Sequence, residues 1–250
     1  MSLWRLEWLR LLRTRRLIAL LAVYVFFGLT GPLTARYLSQ ILNSLGGTGG
    51  VKVEFPEPRP ADGIAQFTSN ASQLGLLVVI LVAASALAFD ARREMAVFLR
   101  TRVRGVREII VPAYAVNAGA AVGALVAGAL AAWYETAVLL GPLPFGRMLT
   151  GIACAALFLV FAVAVTAFVA SLVRGALATA GVSLVILLGM AILGNLGELH
   201  RWMPTTLFSA LAGLVDGSRP ADFVPAAAIA IVASAVALIG AVALGARREL

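Results

Sequence analysis

Six long apolar segments constrain this chain more than any other feature of its sequence. A helix needs about 20 predominantly apolar residues to cross the hydrocarbon core of a bilayer, and in lipid such a segment satisfies its backbone hydrogen bonds as a helix. We therefore predict an all-α, polytopic membrane protein with a single transmembrane domain over residues 1–250. The six predicted transmembrane helices are Leu17–Leu33, Leu74–Phe89, Ile109–Leu139, Met148–Val173, Ala176–Leu196 and Phe223–Leu244.

The composition argues against the soluble protein classes. Hydrophobic residues make up 61% of the chain and charged residues 13%, against about 45–50% and about 25% in soluble domains. The single Cys154 cannot form an internal disulfide or a thiolate metal cluster. The single His200 cannot build a multi-histidine metal site. We accordingly predict no metal site and no catalytic residues.

The distribution of charge predicts the orientation. Six spans place both termini on one side, and if that side is the cytoplasm it holds 14 of the 20 Lys and Arg residues. The positive-inside rule therefore predicts that both termini are cytoplasmic. The net charge of +8 is then explained by the membrane topology, and it does not indicate nucleic-acid binding. The strong preference for Arg over Lys suggests a high-GC bacterium, so we expect a multi-pass protein of a bacterial inner (cell) membrane.

Met1–Arg16 has the pattern of an amphipathic helix. One helical face carries Trp4, Trp8, Leu11 and Leu12, and another carries Arg5, Arg13 and Arg16. This favours an interfacial helix over residues 1–16, anchored by the tryptophans Trp4 and Trp8 before the first span. The alternative is a frayed cytoplasmic tail whose arginines only fix the topology.

Asp90–Glu108 separates the second and third spans and is also amphipathic. Its apolar face carries Met95, Phe98, Leu99, Val103 and Val106, and its opposite face carries Arg100, Arg104, Arg107 and Glu108. The helix could dock a cytoplasmic partner. It could equally be a solvated segment whose arginines fix topology and bind anionic lipid, at about 1 kcal/mol each. This segment alone does not separate the two interpretations.

Two segments are predicted on the outer side. Thr34–Gln73 is the longest outer loop, rich in glycine and proline, and Ala65–Ser72 would extend the short second span. Gly197–Asp222 combines polar and aromatic residues with the apolar run Leu207–Val215. Irregular backbone at membrane depth requires cover from protein or water, so we predict a re-entrant segment or short helices over 197–222. An ordinary surface loop is the alternative.

The sequence lacks the residues of several transport and enzyme classes. It contains no Walker-type phosphate loop, so we predict no ATP site in this chain. Glu135 is the one acid of the third segment and adjoins Trp133 and Tyr134, which suggests an interfacial depth. A proton-coupled pump without a carboxylate at the midplane is hard to build. Gly119 and Gly123 are expected to permit close helix packing.

Taken in order, three features resemble the permease subunit of an ABC-2 type exporter. Arg5–Arg16, followed by the span that ends Phe26-Phe27-Gly28-Leu29-Thr30-Gly31-Pro32, resembles the family's elbow helix and first span. Asp90-Ala91-Arg92-Arg93-Glu94 through Arg104-Gly105 resembles its coupling segment. Glu198–Val215, with Pro204, resembles its outer helices. The family's Gly-Thr pair is replaced around Glu94-Met95-Ala96, and Arg102-Val103-Arg104 stands where its coupling segment has proline.

The resemblance implies a transmembrane permease without its own ATP site. Two permease subunits, identical or related, would pair with two ATPase subunits that bind ATP and magnesium, and this chain would hold no cofactor. The central cavity would be lined by segments one, two and five, and its apolar character suggests a hydrophobic or amphipathic cargo: lipid, drug, peptide or natural product. The residues implied are Asp90, Arg93, Glu94, Arg100, Arg104 and Arg107 for ATPase coupling, and Glu198, His200, Trp202 and Pro204 for an outer gate.

Two other functions remain open at this stage. The chain could be a non-transporting membrane anchor or assembly factor that recruits a cytoplasmic protein through 90–108. A membrane-embedded, lipid-modifying enzyme is disfavoured because the sequence has no visible carboxylate pair and no histidine cluster.

Overall fold

The computed structural model describes residues 3–45, 57–88, 105–194 and 197–247. Within these ranges the chain is helical and contains no strand. A π-helical turn, Ala71–Gly75, joins the third helix to the fourth, and short 3-10 helices lie at Gly197–Trp202 and Pro220–Phe223. The α-helices of the described residues are α1 Leu3–Arg13, α2 Arg16–Leu45, α3 Pro60–Asn70, α4 Leu76–Leu87, α5 Arg107–Leu139, α6 Phe145–Leu172, α7 Ala176–Leu193, α8 Thr206–Asp216 and α9 Val224–Arg247.

Six helical segments of the described chain are long and apolar enough to cross a membrane. This confirms the all-α, polytopic membrane architecture predicted from the sequence. The orientation and the place of α1 at a membrane surface stay predictions. The segments are Arg16–Leu38, Pro60–Leu87, Arg107–Leu139, Phe145–Leu172, Ala176–Leu193 and Pro220–Ala246.

The predicted loop Thr34–Gln73 is wrong in its extent, because helices occupy both of its ends. The helix of the first span, α2, continues past Pro32 to Leu45, since the segment after Pro32 contains neither glycine nor proline until the helix ends. The second span begins at Pro60, which occupies the first helical turn, where a missing N–H costs nothing. The Asp62 carboxylate accepts a hydrogen bond of 2.7 Å from the Arg59 backbone N–H and caps this start.

The helix α6 forms the centre of the bundle and contacts α4, α5, α7, α8 and α9. Its buried residues include Ala155, Leu159, Ala162, Val163 and Val169, all fully inaccessible. In contrast, α7 and α9 expose large apolar side chains along much of their length. This distribution places α6 in protein surroundings and leaves apolar outer faces on α7 and α9.

A close helix contact joins α2 to α5. A Cβ atom on Gly28 would collide with the carbonyl oxygen of Gly128, and one on Gly128 would lie 2.5 Å from the carbonyl oxygen of Tyr24. The expectation that Gly119 and Gly123 pack closely is wrong within the described structure, because no heavy atom lies within 4 Å of a Cβ built on either one. The rotation of α5 about its axis turns these two glycines away from α2.

The contacts define two ends of the bundle. At one end a Cβ on Gly245 would lie 2.7 Å from Val106, and the Arg16 guanidinium donates to the Ser85 carbonyl at 3.5 Å. At the other end Arg59 pairs with Asp216 at 3.5 Å. Since α1 and the last turns of α9 both lie near the start of α5, the two termini share one end. We call it the predicted inner end, and the opposite end the predicted outer end.

The fourth and fifth spans are joined by a very short connection. The helix α6 ends at Leu172 and α7 begins at Ala176. Gly175 has a φ of +93°, which glycine adopts without the steric cost that a Cβ atom imposes. The two helices therefore reverse direction within three residues.

Candidate functional site

A cleft at the predicted inner end joins α1 to the start of α5. Its volume is about 490 Å³ and its lining residues are Leu3, Trp4, Arg107, Glu108, Val111 and Pro112. Arg107 is the first residue of α5 and is exposed. Trp4 and Arg107 belong to segments whose roles the sequence predicted separately. The structure brings these two residues to one cleft.

The helix α1 has one buried and one exposed face. Leu11 is 3% exposed, whereas Trp4 and Trp8 are 51% and 48% exposed. The helix packs against α5 and α2 through its buried face. Both indole rings thus remain accessible, as an interfacial anchor requires, and their contact with a membrane stays a prediction.

Glu7 is a carboxyl group with little solvent exposure on α1. Its side chain is 11% exposed, and its Oε1 atom lies 3.5 Å from Nη1 of Arg10. Burial raises the pKa of Glu7 above its ordinary value, although the charges of Arg10 and Arg16 act in the opposite direction. The ionised carboxylate is therefore held on α1 at a cost in free energy.

The predicted coupling residues are only partly covered by the structure. Asp90, Arg93, Glu94, Arg100 and Arg104 lie outside the described residues. Arg107 is described and lies at the cleft beside α1. The coupling role of all six residues remains a prediction.

The predicted outer-gate residues follow α7. Glu198 lies in the 3-10 helix Gly197–Trp202. The Nδ1 atom of the exposed His200 lies 3.0 Å from the Gly194 carbonyl oxygen. Trp202 is 55% exposed and Pro204 is buried. The contact links His200 to the end of α7, and a gating role for the four residues stays a prediction.

The helix α8 runs beside one half of α6. The rings of Phe158 and Phe208 meet edge to face at 5.7 Å, and Gly151 approaches the backbone of Leu211. Phe158 lies 13 residues after the start of α6, which is about 20 Å along the helix axis. The helix α8 therefore begins deep in the bundle and rises to Asp216 at the predicted outer end.

Two features of the second span were not predicted from the sequence. The first is the polar strip, which we define as Gln66, Ser69, Asn70 and Gln73. The second is the π-helical turn Ala71–Gly75, against which Tyr24 packs from α2. The members of the strip are spaced as on one face of a helix, and this spacing is the signal that the sequence contains. This spacing did not lead to a predicted helix, because the same polar residues are typical of a loop.

Comparison with known proteins identifies a similar membrane protein. The chain is 24% identical over 226 residues to an uncharacterized transmembrane protein, YxlG, of Bacillus subtilis (strain 168), and the alignment covers 89% of this chain and 87% of that protein. No family model matches the chain. No solved structure matches it. The similarity and the six apolar helices together support a multi-pass membrane protein.

Proposed function

We propose that this chain is the transmembrane permease subunit of an ATP-driven ABC-2 type exporter. In this role it moves a hydrophobic or amphipathic cargo out of the cytoplasm or the inner leaflet. The observation that carries the proposal is the cleft between α1 and α5. There Arg107, at the end of the predicted coupling segment, lies beside Trp4 of the predicted elbow helix.

The proposal requires separate subunits for ATP hydrolysis. This sequence contains no Walker motif, so ATP and magnesium bind to two partner ATPase subunits. A second permease subunit, identical or related, completes the complex. The chain itself then performs no catalysis and serves as the membrane path.

The long helix α5 offers a route from the coupling segment into the membrane. It spans 33 residues from Arg107 to Leu139, about 50 Å at 1.5 Å per residue. It also meets α2 at the close Gly28–Gly128 contact. A force applied near Arg107 by ATPase closure therefore moves α5 and α2 together, because packed interiors are nearly incompressible.

The first test is purification of the tagged chain from its native membrane, with mass spectrometry of the proteins that remain bound. We expect a stoichiometric ATPase with Walker motifs. A chain that purifies alone, or with a partner other than an ATPase, under conditions that preserve ABC complexes contradicts the exporter function. A partner of the latter kind supports the membrane anchor instead.

The second test uses a charge reversal with a matched control. We expect Arg107→Glu to abolish most of the ATPase stimulation by the permease, because Arg107 lies at the end of the predicted coupling segment. Arg174→Glu makes the same change at another exposed arginine of the predicted inner end, between α6 and α7, and should leave the stimulation intact. Equal stimulation in both variants contradicts the assignment of Arg107 to coupling.

A further inference from the structure

A polar strip follows an exposed face of the second span. Its members, Gln66, Ser69, Asn70 and Gln73, are spaced i, i+3, i+4 and i+7, which places them on one side of a helix. Ser69 and Gln73 are exposed and the other two are half-buried. The opposite face packs into the bundle and is fully buried at Ile64, Phe67 and Ala71.

The strip reaches the depth of the hydrocarbon core. Gln73 precedes Leu87, the last residue of α4, by 14 residues, or about 21 Å along the axis. The hydrocarbon core of a bilayer is about 30 Å thick. With the end of α4 at the inner boundary, Gln73 lies within the core and Ser69 lies near its outer edge.

Lipid tails offer no hydrogen-bond partners to the side chains of the strip. The Nε2 atom of Gln73 donates to Oγ of Ser69 at 3.5 Å, which uses one N–H of an amide that also has a second N–H and a carbonyl oxygen. Other spans expose apolar side chains instead, among them Leu177, Val185, Ile192, Ile231, Val236 and Ile239. Polar side chains inside a membrane face protein or a water-filled cavity. The exposed side of the strip is therefore a surface for water or for protein and not for lipid.

The helix geometry changes at the same place. The backbone N–H of Leu76 bonds to the carbonyl of Ala71, the i to i−5 pattern of a π turn, and such turns occur frequently at functional sites. Tyr24 packs behind this turn, where a Cβ on Gly75 would lie 2.9 Å from its ring. The fully buried hydroxyl of Tyr24 has no hydrogen-bond partner among the described residues. The π turn is therefore a second indication, independent of the exposed side chains, that this part of the span has a functional role.

We infer that the polar strip lines a water-filled path and binds uncharged hydrogen-bonding groups, such as amides and hydroxyls, of an amphipathic cargo. The strip supplies amide and hydroxyl donors and acceptors and contains no ionisable side chain. The cargo assignment rests on the proposed export function. The exposure of the strip to water does not, and it is tested without an ATPase.

Cysteine labelling in native membranes tests the water exposure. In a Cys154→Ala background, Gln73→Cys is compared with Leu74→Cys, because Leu74 is 53% exposed at the same depth on another face. We expect a membrane-impermeant maleimide to label Gln73→Cys at least tenfold faster. Labelling of both proteins after denaturation shows that each thiol is present. Equal rates in the membrane, or labelling of neither variant, overturn the inference.

Reagent charge tests the chemistry of the strip. Anionic sulfonate and cationic trimethylammonium methanethiosulfonates should modify Gln73→Cys at rates within about threefold of each other, relative to their rates with a free thiol. A preference of more than tenfold for either sign contradicts an uncharged binding surface. If labelling follows expectation but no ATPase co-purifies, the water-filled surface stands and the export function fails.

Discussion

At the residue scale, Glu7 shows how burial and an ion pair compete on one side chain. Burial favours the neutral acid, and the nearby guanidinium of Arg10 favours the carboxylate. The raised pKa means that burial is the larger effect. Because the pKa of Glu7 in the folded state lies above its ordinary value of 4.5, the folded protein binds this proton more tightly than the unfolded chain does. The contribution of Glu7 to the free energy of unfolding therefore rises as the pH falls from above the raised pKa towards 4.5.

The variant Glu7→Gln should be more stable than the parent at pH 7.5, because the amide avoids the cost of a buried charge. We expect a rise in melting temperature of about 1–2 °C, the size that ~0.5 kcal/mol produces in a chain of this length. The gain should be smaller at pH 4.5, because a larger fraction of the parent's Glu7 then carries a proton and, like the amide, no charge. Thermal unfolding in detergent measures both values. The exposed Glu57→Gln is the control, and a destabilised Glu7→Gln at pH 7.5 would show that the Arg10 pair dominates.

At the scale of helices, the number and order of the apolar segments were predictable, but the extent of the first two spans and the rotation of the helices were not. Bilayer thickness sets the length of a span, so the hydrophobic pattern located all six. The helix from Pro60 to Asn70 was interpreted as loop because Gln66, Ser69 and Asn70 lower the local hydrophobicity. The choice between Gly123 and Gly128 as the contact point of α5 depends on how its neighbours pack, and a single sequence does not contain that information.

The variant Gly128→Ala should destabilise the bundle, because its Cβ would lie 2.5 Å from the Tyr24 carbonyl oxygen. Overpacking of this kind costs about 1–3 kcal/mol, and we expect the melting temperature in detergent to fall by several degrees. Gly123→Ala makes the same change on the same helix, with nothing within 4 Å of the new atom. It should be neutral or slightly stabilising, since alanine favours helix formation. Equal melting temperatures for the two variants would refute the close α2–α5 contact.

At the scale of the whole molecule, the even number of spans agrees with the contacts at the bundle ends. Trp4 near the start of the chain and Gly245 near its end both lie at the start of α5. The sequence predicted this pairing from the number of its apolar segments, because six spans return the chain to the side on which it began. The side of the membrane that holds the paired termini is a prediction from the basic residues alone. Neither the number of spans nor the basic residues predict the cargo.

Reporter fusions test the predicted orientation. Alkaline phosphatase fused after Leu250 should be inactive and green fluorescent protein at the same site fluorescent, because a cytoplasmic C-terminus suits only the second reporter. Fusions after Pro142, in the connection between α5 and α6, should give the opposite result. Active phosphatase at Leu250 would reverse the assignment of inner and outer ends, and with it the place of the coupling segment.

The connection at Gly175 also has a consequence for biosynthesis. The ribosome delivers α6 and α7 as nearly 50 residues with a single charged side chain after Arg147, that of Arg174. Three connecting residues cannot cross a bilayer, so the two helices must reach their final orientation as one hairpin. Insertion of the fifth span is thereby tied to the fourth, which the rest of the bundle surrounds. A newly made chain stalled before Ala176 would therefore present the translocon with α6, the central helix, before its hairpin partner α7 has been made.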